Sequence, residues 1–146
     1  TCMLPYFSIF IATCAGFLVG FVWYSPYICM NLWLKGKGVT KETLPVRSRT
    51  YIAQTNVYSF IAHLCIALTL SVVFTLLSVK DVKTAVTLGT LLAFGYIVSS
   101  RFVDMLYTVD GVHYDKKNQS LFLVTSGYYI TTVAVMSYTL AVLSIL

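Results

Sequence analysis

Four long apolar runs, separated by three polar connections of unequal length, set the plan of this chain. The first covers about 6–25 and holds no charged residue. The second, about 53–79, also lacks Asp, Glu, Lys and Arg. The third, about 84–104, takes in Arg101 and closes at Asp104, and the fourth covers about 120–145. A hydrocarbon core about 30 Å thick needs about 20 residues of helix to cross it. Each run is long enough, and lipid offers no partner to an open strand edge, so each is expected to be helical. The pattern predicts an all-α polytopic membrane protein: a bundle of four transmembrane helices forming one domain over 1–146. Pro26 ends the first helix, because proline disfavours the helical conformation at the residue before it. Between the runs lie a basic loop at 31–52, a tight turn at 80–83, and a polar loop at 105–118 in which Asp110-Gly111 marks a turn.

Composition agrees with this plan. Of 146 residues, 58% are apolar and 10% charged, whereas soluble domains carry about 25% charged residues. A soluble fold of this size could not bury that much apolar surface. The net charge of +5 does not point to nucleic acid, because the basic residues lie in the loops. Lys35, Lys37, Lys41, Arg47 and Arg49 follow the first helix, and Lys116 and Lys117 follow the third. The positive-inside rule then places both larger loops inside and both termini outside. The loop cations, with Trp23, Tyr24 and Trp33 beside them, make an anionic lipid such as cardiolipin an expected partner. The run 6–25 has no basic residues ahead of it and is too long for a signal peptide. The chain opens at Thr1 rather than Met, read as a processed or incomplete product, which puts a mitochondrial inner membrane ahead of a bacterial plasma membrane. Cys2, Cys14, Cys29 and Cys65 form no C-x-x-C pair and read as small packing residues.

Three sets of residues stand out from the apolar background. Ala12, Gly16 and Gly20 recur every four residues on the first helix, and Ala85, Gly89 and Ala93 do the same on the third. Such stripes let helix backbones approach closely, which matters in lipid because no hydrophobic drive brings helices together. They are expected to pack inside the bundle, with docking to another subunit as the alternative. Substitutions at Phe17 or Leu18 should be milder where those residues face lipid. Trp23, Tyr24 and Trp33 read as an interfacial aromatic belt. The third set is polar and lies inside the membrane. Asn56, Ser59 and His63 share one helix face. Arg101 and Asp104, at a spacing of three, can pair near the end of the third helix, with Tyr128 about two turns deeper. Buried ionisable groups in membranes are functional candidates by default. A structural clamp is the competing reading for the Arg101–Asp104 pair, and a packing role for His63.

The sequence offers no enzyme signature, so a non-enzyme is expected. No catalytic set can be assembled and no cofactor is implied. Asp110, His113 and Asp115 read as a plain turn, not a metal site, and no metal is expected.

The run Gly20-Phe21-Val22-Trp23-Tyr24-Ser25-Pro26, followed by Trp33 and by Lys35-Gly36-Lys37-Gly38-Val39-Thr40, resembles the membrane family known as domain of unknown function 1761. That family has a glycine-containing first helix ending in W-Y-S-P, a short basic segment, three further membrane helices and a Gly-Tyr pair in the last, matched here by Gly127-Tyr128. The resemblance spans nearly the whole chain and implies a fold and a membrane address, but no reaction. The basic loop through Arg49 and the polar stretch around Asp110–Lys117 depart from it, and additions like these suit contacts with a partner or lipid. Together these readings lead to a non-catalytic accessory subunit of a larger inner-membrane complex, respiratory or ATP synthase, giving structural and lipid-contact support. The alternative is a small transporter or proton-conducting protein using His63, Arg101 and Asp104.

Overall fold

The computed structural model describes residues 6–107 and 116–145. All of its regular elements are helical, and four stretches are long and apolar enough to cross a membrane: Tyr6–Trp23, Arg49–Leu76, Val82–Leu106 and Asn118–Ser144. The first is helix α1 (Tyr6–Trp23). Pro26 leaves no amide to continue it. The chain turns through Cys29 N–H bonding to the Trp23 carbonyl at 3.0 Å and Met30 N–H bonding to that of Ser25 at 3.2 Å.

The basic loop expected at 31–52 is helical at both ends. Its start forms a short helix, α2 (Met30–Lys37), and its end belongs to α3 (Arg49–Leu76), which begins ahead of Ala53. Local chemistry accounts for both. Gly38 takes a left-handed conformation (φ 69°) and donates its N–H to the carbonyls of Leu34 and Lys35, closing α2. The Ser48 hydroxyl accepts from Tyr51 N–H at 3.2 Å and caps α3. The far end of α3 falls at Leu76, short of Val79. Ser78 adopts φ 51° there, and Val79 N–H returns to the Phe74 carbonyl at 2.9 Å, the bond that ends a helix with a left-handed residue.

The third span is interrupted. Helix α4 (Val82–Leu92) passes into a π-helical segment (Ala93–Val98) before α5 (Ser99–Leu106). Such wide turns concentrate at functional sites. The fourth span lies in α6 (Lys116–Ile145). The expected turn at Asp110-Gly111, and His113, Asp115 and Cys2, lie outside the described residues.

Helix α6 is the axis of the bundle and touches α1, α2, α3, α4 and α5. Around it pack Ile9 and Ala12 of α1, Leu70 and Phe74 of α3, and Ala85 and Ala93 of the third span, all against Val133, Met136 and Leu140. Outward faces carry Phe10, Leu18, Tyr58, Ile61, Leu91 and Phe94, an arrangement that suits a membrane, where lipid or other membrane helices cover them. Hydroxyls on these faces are satisfied locally: Thr55, Thr69 and Thr139 each donate to the carbonyl four residues back, which keeps a polar atom tolerable in hydrocarbon.

Both small-residue stripes face α6. A Cβ on Gly16 would lie 2.8 Å from Met136 Cγ, one on Gly20 would lie 3.3 Å from Tyr128 Oη, and one on Gly89 would lie 3.0 Å from Ser137 Cβ. Ala12 and Ala85 are fully buried and Ala93 nearly so. Close backbone approach to one central helix therefore replaces a large hydrophobic core. Phe17 is only partly open to lipid: its ring lies edge-on to Phe60 at 5.6 Å and to Phe21 at 5.0 Å.

At the α3–α4 turn, Asp81 Oδ1 accepts from Thr84 N–H at 2.8 Å. That bond holds the Asp81 carboxyl below its usual value. A depressed carboxyl adds stability above its unfolded pKa, and loses it as pH falls through the folded value. The melting temperature in detergent is therefore expected to drop below about pH 4. Asp81→Asn caps without titrating, so it should flatten that part of the profile. An unchanged profile would remove the cap from the acid response.

Candidate functional site

A buried polar contact within the spans joins α3 to α6. His63 is 6% exposed. Its Nδ1 lies 2.6 Å from the Ser59 carbonyl oxygen and its Nε2 lies 2.9 Å from Tyr128 Oη. A carbonyl only accepts, so Nδ1 carries a proton and donates it there, while Nε2 shares a hydrogen bond with the tyrosine hydroxyl, which can donate or accept. Both ring nitrogens are thereby engaged. The helical spacing that aligns Ser59 with His63 supplies the first bond, and α6 supplies the second. Beside this pair opens a cleft of about 430 Å³, bounded by Phe17 and Gly20 of α1, Tyr24 just beyond its end, Asn56 and Ser59 of α3, and Tyr129 of α6.

The end of α1 closes the same neighbourhood. Trp23 Nε1 donates to the Val124 carbonyl at 3.1 Å. The indole lies so close to Gly127 that a Cβ there would come within 2.9 Å of its Cζ2. The Tyr24 ring is 5.2 Å from that of Tyr128 and 6.1 Å from that of Trp33. Trp23, expected in an interfacial belt, is thus half-buried and bonded across to α6. The W-Y pair at the end of α1 and the Gly-Tyr pair in α6 are two halves of one contact. Gly127 makes room for the indole, while Tyr128 reaches His63.

Arg101 and Asp104 occupy a different place. Their side chains are 46% and 70% exposed and lie 3.9 Å apart, an open pair of small energetic worth. Arg101 Nη2 also donates to Tyr129 Oη at 3.3 Å, with the guanidinium 5.4 Å from that ring's centre. Together with Trp33, Lys37, Asn118 and Thr125 they line a second cleft of about 270 Å³ between α2, α5 and the start of α6. The polar set read from the sequence therefore divides. Asn56, Ser59, His63 and Tyr128 meet at the first cleft, Arg101 and Asp104 at the second, and Tyr129 links the two. Tyr129 had no signal in the sequence beyond its neighbour Tyr128.

The other basic residues of the first connection are spread along the same end of the bundle, whereas Lys80 and Lys83 sit at the α3–α4 turn. Lys37 Nζ sits 5.9 Å from the Trp33 ring centre and the Arg47 guanidinium 4.9 Å from that of Tyr51. Lys35 is exposed on α2, and Arg49 opens α3. Among the described residues no group of His, Cys, Asp and Glu could hold a metal ion.

Four apolar spans, three of them packed around the fourth, with polar side chains gathered in clefts near one end, define an all-helical polytopic membrane protein. Within that class the chain belongs to the family described as protein of unknown function (DUF1761), whose pattern matches residues 7–141. Comparison with curated proteins and with solved structures finds no match.

Proposed function

We propose that this protein is a non-catalytic accessory subunit of a larger inner-membrane assembly, respiratory or ATP synthase, where it supports neighbouring helices and lipid. The observation that carries the reading is the use made of His63. Both of its ring nitrogens bond within the fold, so the most buried ionisable side chain of the spans acts as a clamp between helices. The broad apolar faces of α3 and α4, with Tyr58, Ile61, Leu91 and Phe94 outward, suit contact with other membrane helices. The positive-inside rule gives the orientation: the end bearing α2, with Lys35, Lys37, Arg47 and Arg49, faces the matrix or cytoplasm, and Ser78 and the termini face the other side. A mitochondrial inner membrane is the proposed address, with a bacterial plasma membrane second. Purification at endogenous expression is the test. A large co-purifying complex is the expected result, and a chain that migrates alone would refute the subunit role.

The same basic end is proposed to hold an anionic lipid such as cardiolipin, each cation near the surface adding about 1 kcal/mol. Replacing Arg47 and Arg49 together by Gln should reduce anionic lipid seen in native mass spectrometry. Full retention would move the contact to other cations, Lys37 and Arg101 first.

A second reading, a small transporter or proton conductor, is favoured by the cleft that reaches His63. Against it, Arg101 and Asp104 line a separate cleft. Flux in proteoliposomes that is unaltered by His63→Ala and by Arg101→Ala would eliminate it.

A further inference from the structure

Helices α3 and α4 are joined by a short turn, yet they diverge and each packs on α6. The space between them is an apolar groove of about 400 Å³, bounded by Cys65, Thr69 and Val73 on one side and Ala93, Tyr96 and Ile97 on the other, with Val133 as its floor. Three of those residues belong to the π-helical segment. Ile66 borders both this groove and the polar cleft at His63, so the two spaces adjoin along α3.

Their chemistry is graded along the helix. The polar part runs from Asn56 to His63 and the apolar part from Ile66 to Val73, each about 10 Å long by the helical rise. Asn56 lies about 10 Å along α3 from Arg49, which puts the polar part near the helix end where the basic residues gather. Its polar side chains include donors. Asn56, Ser59, Tyr24 and Tyr129 each offer an N–H or O–H, and no carboxylate borders the cleft. The Arg101 guanidinium donates to the Tyr129 hydroxyl, adding positive potential and leaving that hydroxyl's own proton to be donated elsewhere. A donor-rich polar end beside a cation, continuous with an apolar groove, has the polarity of a membrane lipid lying along α3. We infer that this cleft and groove form a binding site for one phospholipid, its phosphate oxygens facing Tyr24, Asn56 and Tyr129 and an acyl chain lying between α3 and the π-helical segment. The site is distinct from the surface cations Arg47 and Arg49, and it stands whether the chain works alone or in an assembly.

Native mass spectrometry of the intact protein tests this, first as purified in mild detergent and then delipidated and titrated with phosphatidylglycerol. Wild type should retain one phospholipid and regain it on titration. Asn56→Leu removes a head contact, and Cys65→Trp fills the groove from an exposed position. Each should lower occupancy several-fold, while Leu68→Trp, on the same helix but away from the groove, should not. Tyr129→Phe, a mild change, should weaken titration without altering the melting temperature. Equal occupancy in wild type, Asn56→Leu, Cys65→Trp and Tyr129→Phe would overturn the assignment. So would a retained molecule without phosphorus, a lipid lost only in the Arg47→Gln, Arg49→Gln variant, or a second protein chain crosslinking to the groove in its place.

Discussion

Gly89→Leu is expected to destabilise the protein by about 3 kcal/mol or more, while Gly95→Leu, six residues along the same span, is expected to be neutral or mildly stabilising. A Cβ on Gly89 would run into the Ser137 hydroxyl and lie 3.0 Å from Ser137 Cβ and 3.5 Å from Val133 Cγ1. Ser137 is fully buried, so its side chain has nowhere to turn, and relief requires α4 to move off α6. Overpacking a well-filled core costs about 1–3 kcal/mol for added methylenes, and a leucine adds more volume than that series covers. In lipid the lost close approach is also the main source of association. Gly95 is the matched control because a Cβ there meets nothing within 4 Å, and a residue other than glycine gains up to about 1 kcal/mol in helix propensity. Unfolding in mixed micelles measures both. Equal loss from the two substitutions would mean that the Ala85–Gly89–Ala93 stripe is not the contact face. On α1, Gly16→Leu meets buried Met136 and His63 and should behave like Gly89→Leu, with Leu18, 59% exposed, as its proper control.

The second large effect concerns the clamp between α3 and α6. His63→Phe keeps bulk but strands the Tyr128 hydroxyl, and Tyr128→Phe strands His63 Nε2. An orphaned buried polar group costs about 1–3 kcal/mol. Each single variant should therefore lower stability by about 2 kcal/mol, and the double variant should cost less than the sum. The coupling should be about 1 kcal/mol, within the range found for hydrogen bonds between membrane helices. A double-mutant cycle in micelles or bicelles reads it directly. Strict additivity would mean that the 2.9 Å contact contributes nothing to holding α3 on α6, and would leave His63 free for the transport reading.

Span number, helicity and the small-residue faces were legible because each follows from a repeating property: run length against membrane thickness, and a spacing of four against the helical period. Helix ends were legible only where a residue forces them. Pro26 ended α1 as expected, but α3 starts early because Ser48 caps it, and it stops early because Ser78 takes a left-handed conformation. Neither residue breaks the hydropathy pattern. At the site, the sequence put Asn56, Ser59 and His63 on one face, since that relation is local. The partners of His63 and Arg101 depend on how α6 lies against two other helices, which no spacing records. Hence Tyr129 was missed, Arg101 was grouped with His63 although it lines a neighbouring cleft, and Trp23, read as part of an interfacial belt, gave no sign of its bond across to Val124.

The π-helical segment has a consequence for the direction of charge. From Ala93 to Arg101 is eight steps, which in an uninterrupted α-helix carries a side chain about 80° past its starting azimuth, since each residue turns about 100°. A wide turn acts as one residue inserted into the helix, and takes back about 100° of that phase. Arg101 thereby returns to within about 20° of the bearing of Ala93, toward α6 and Tyr129, where an unbroken helix would have pointed its cation into hydrocarbon. The azimuth of the only arginine among the four spans beyond the first turn of α3 is thus set by a single step of helical phase in a segment that begins eight residues upstream and ends three residues upstream, and not by anything at Arg101 itself.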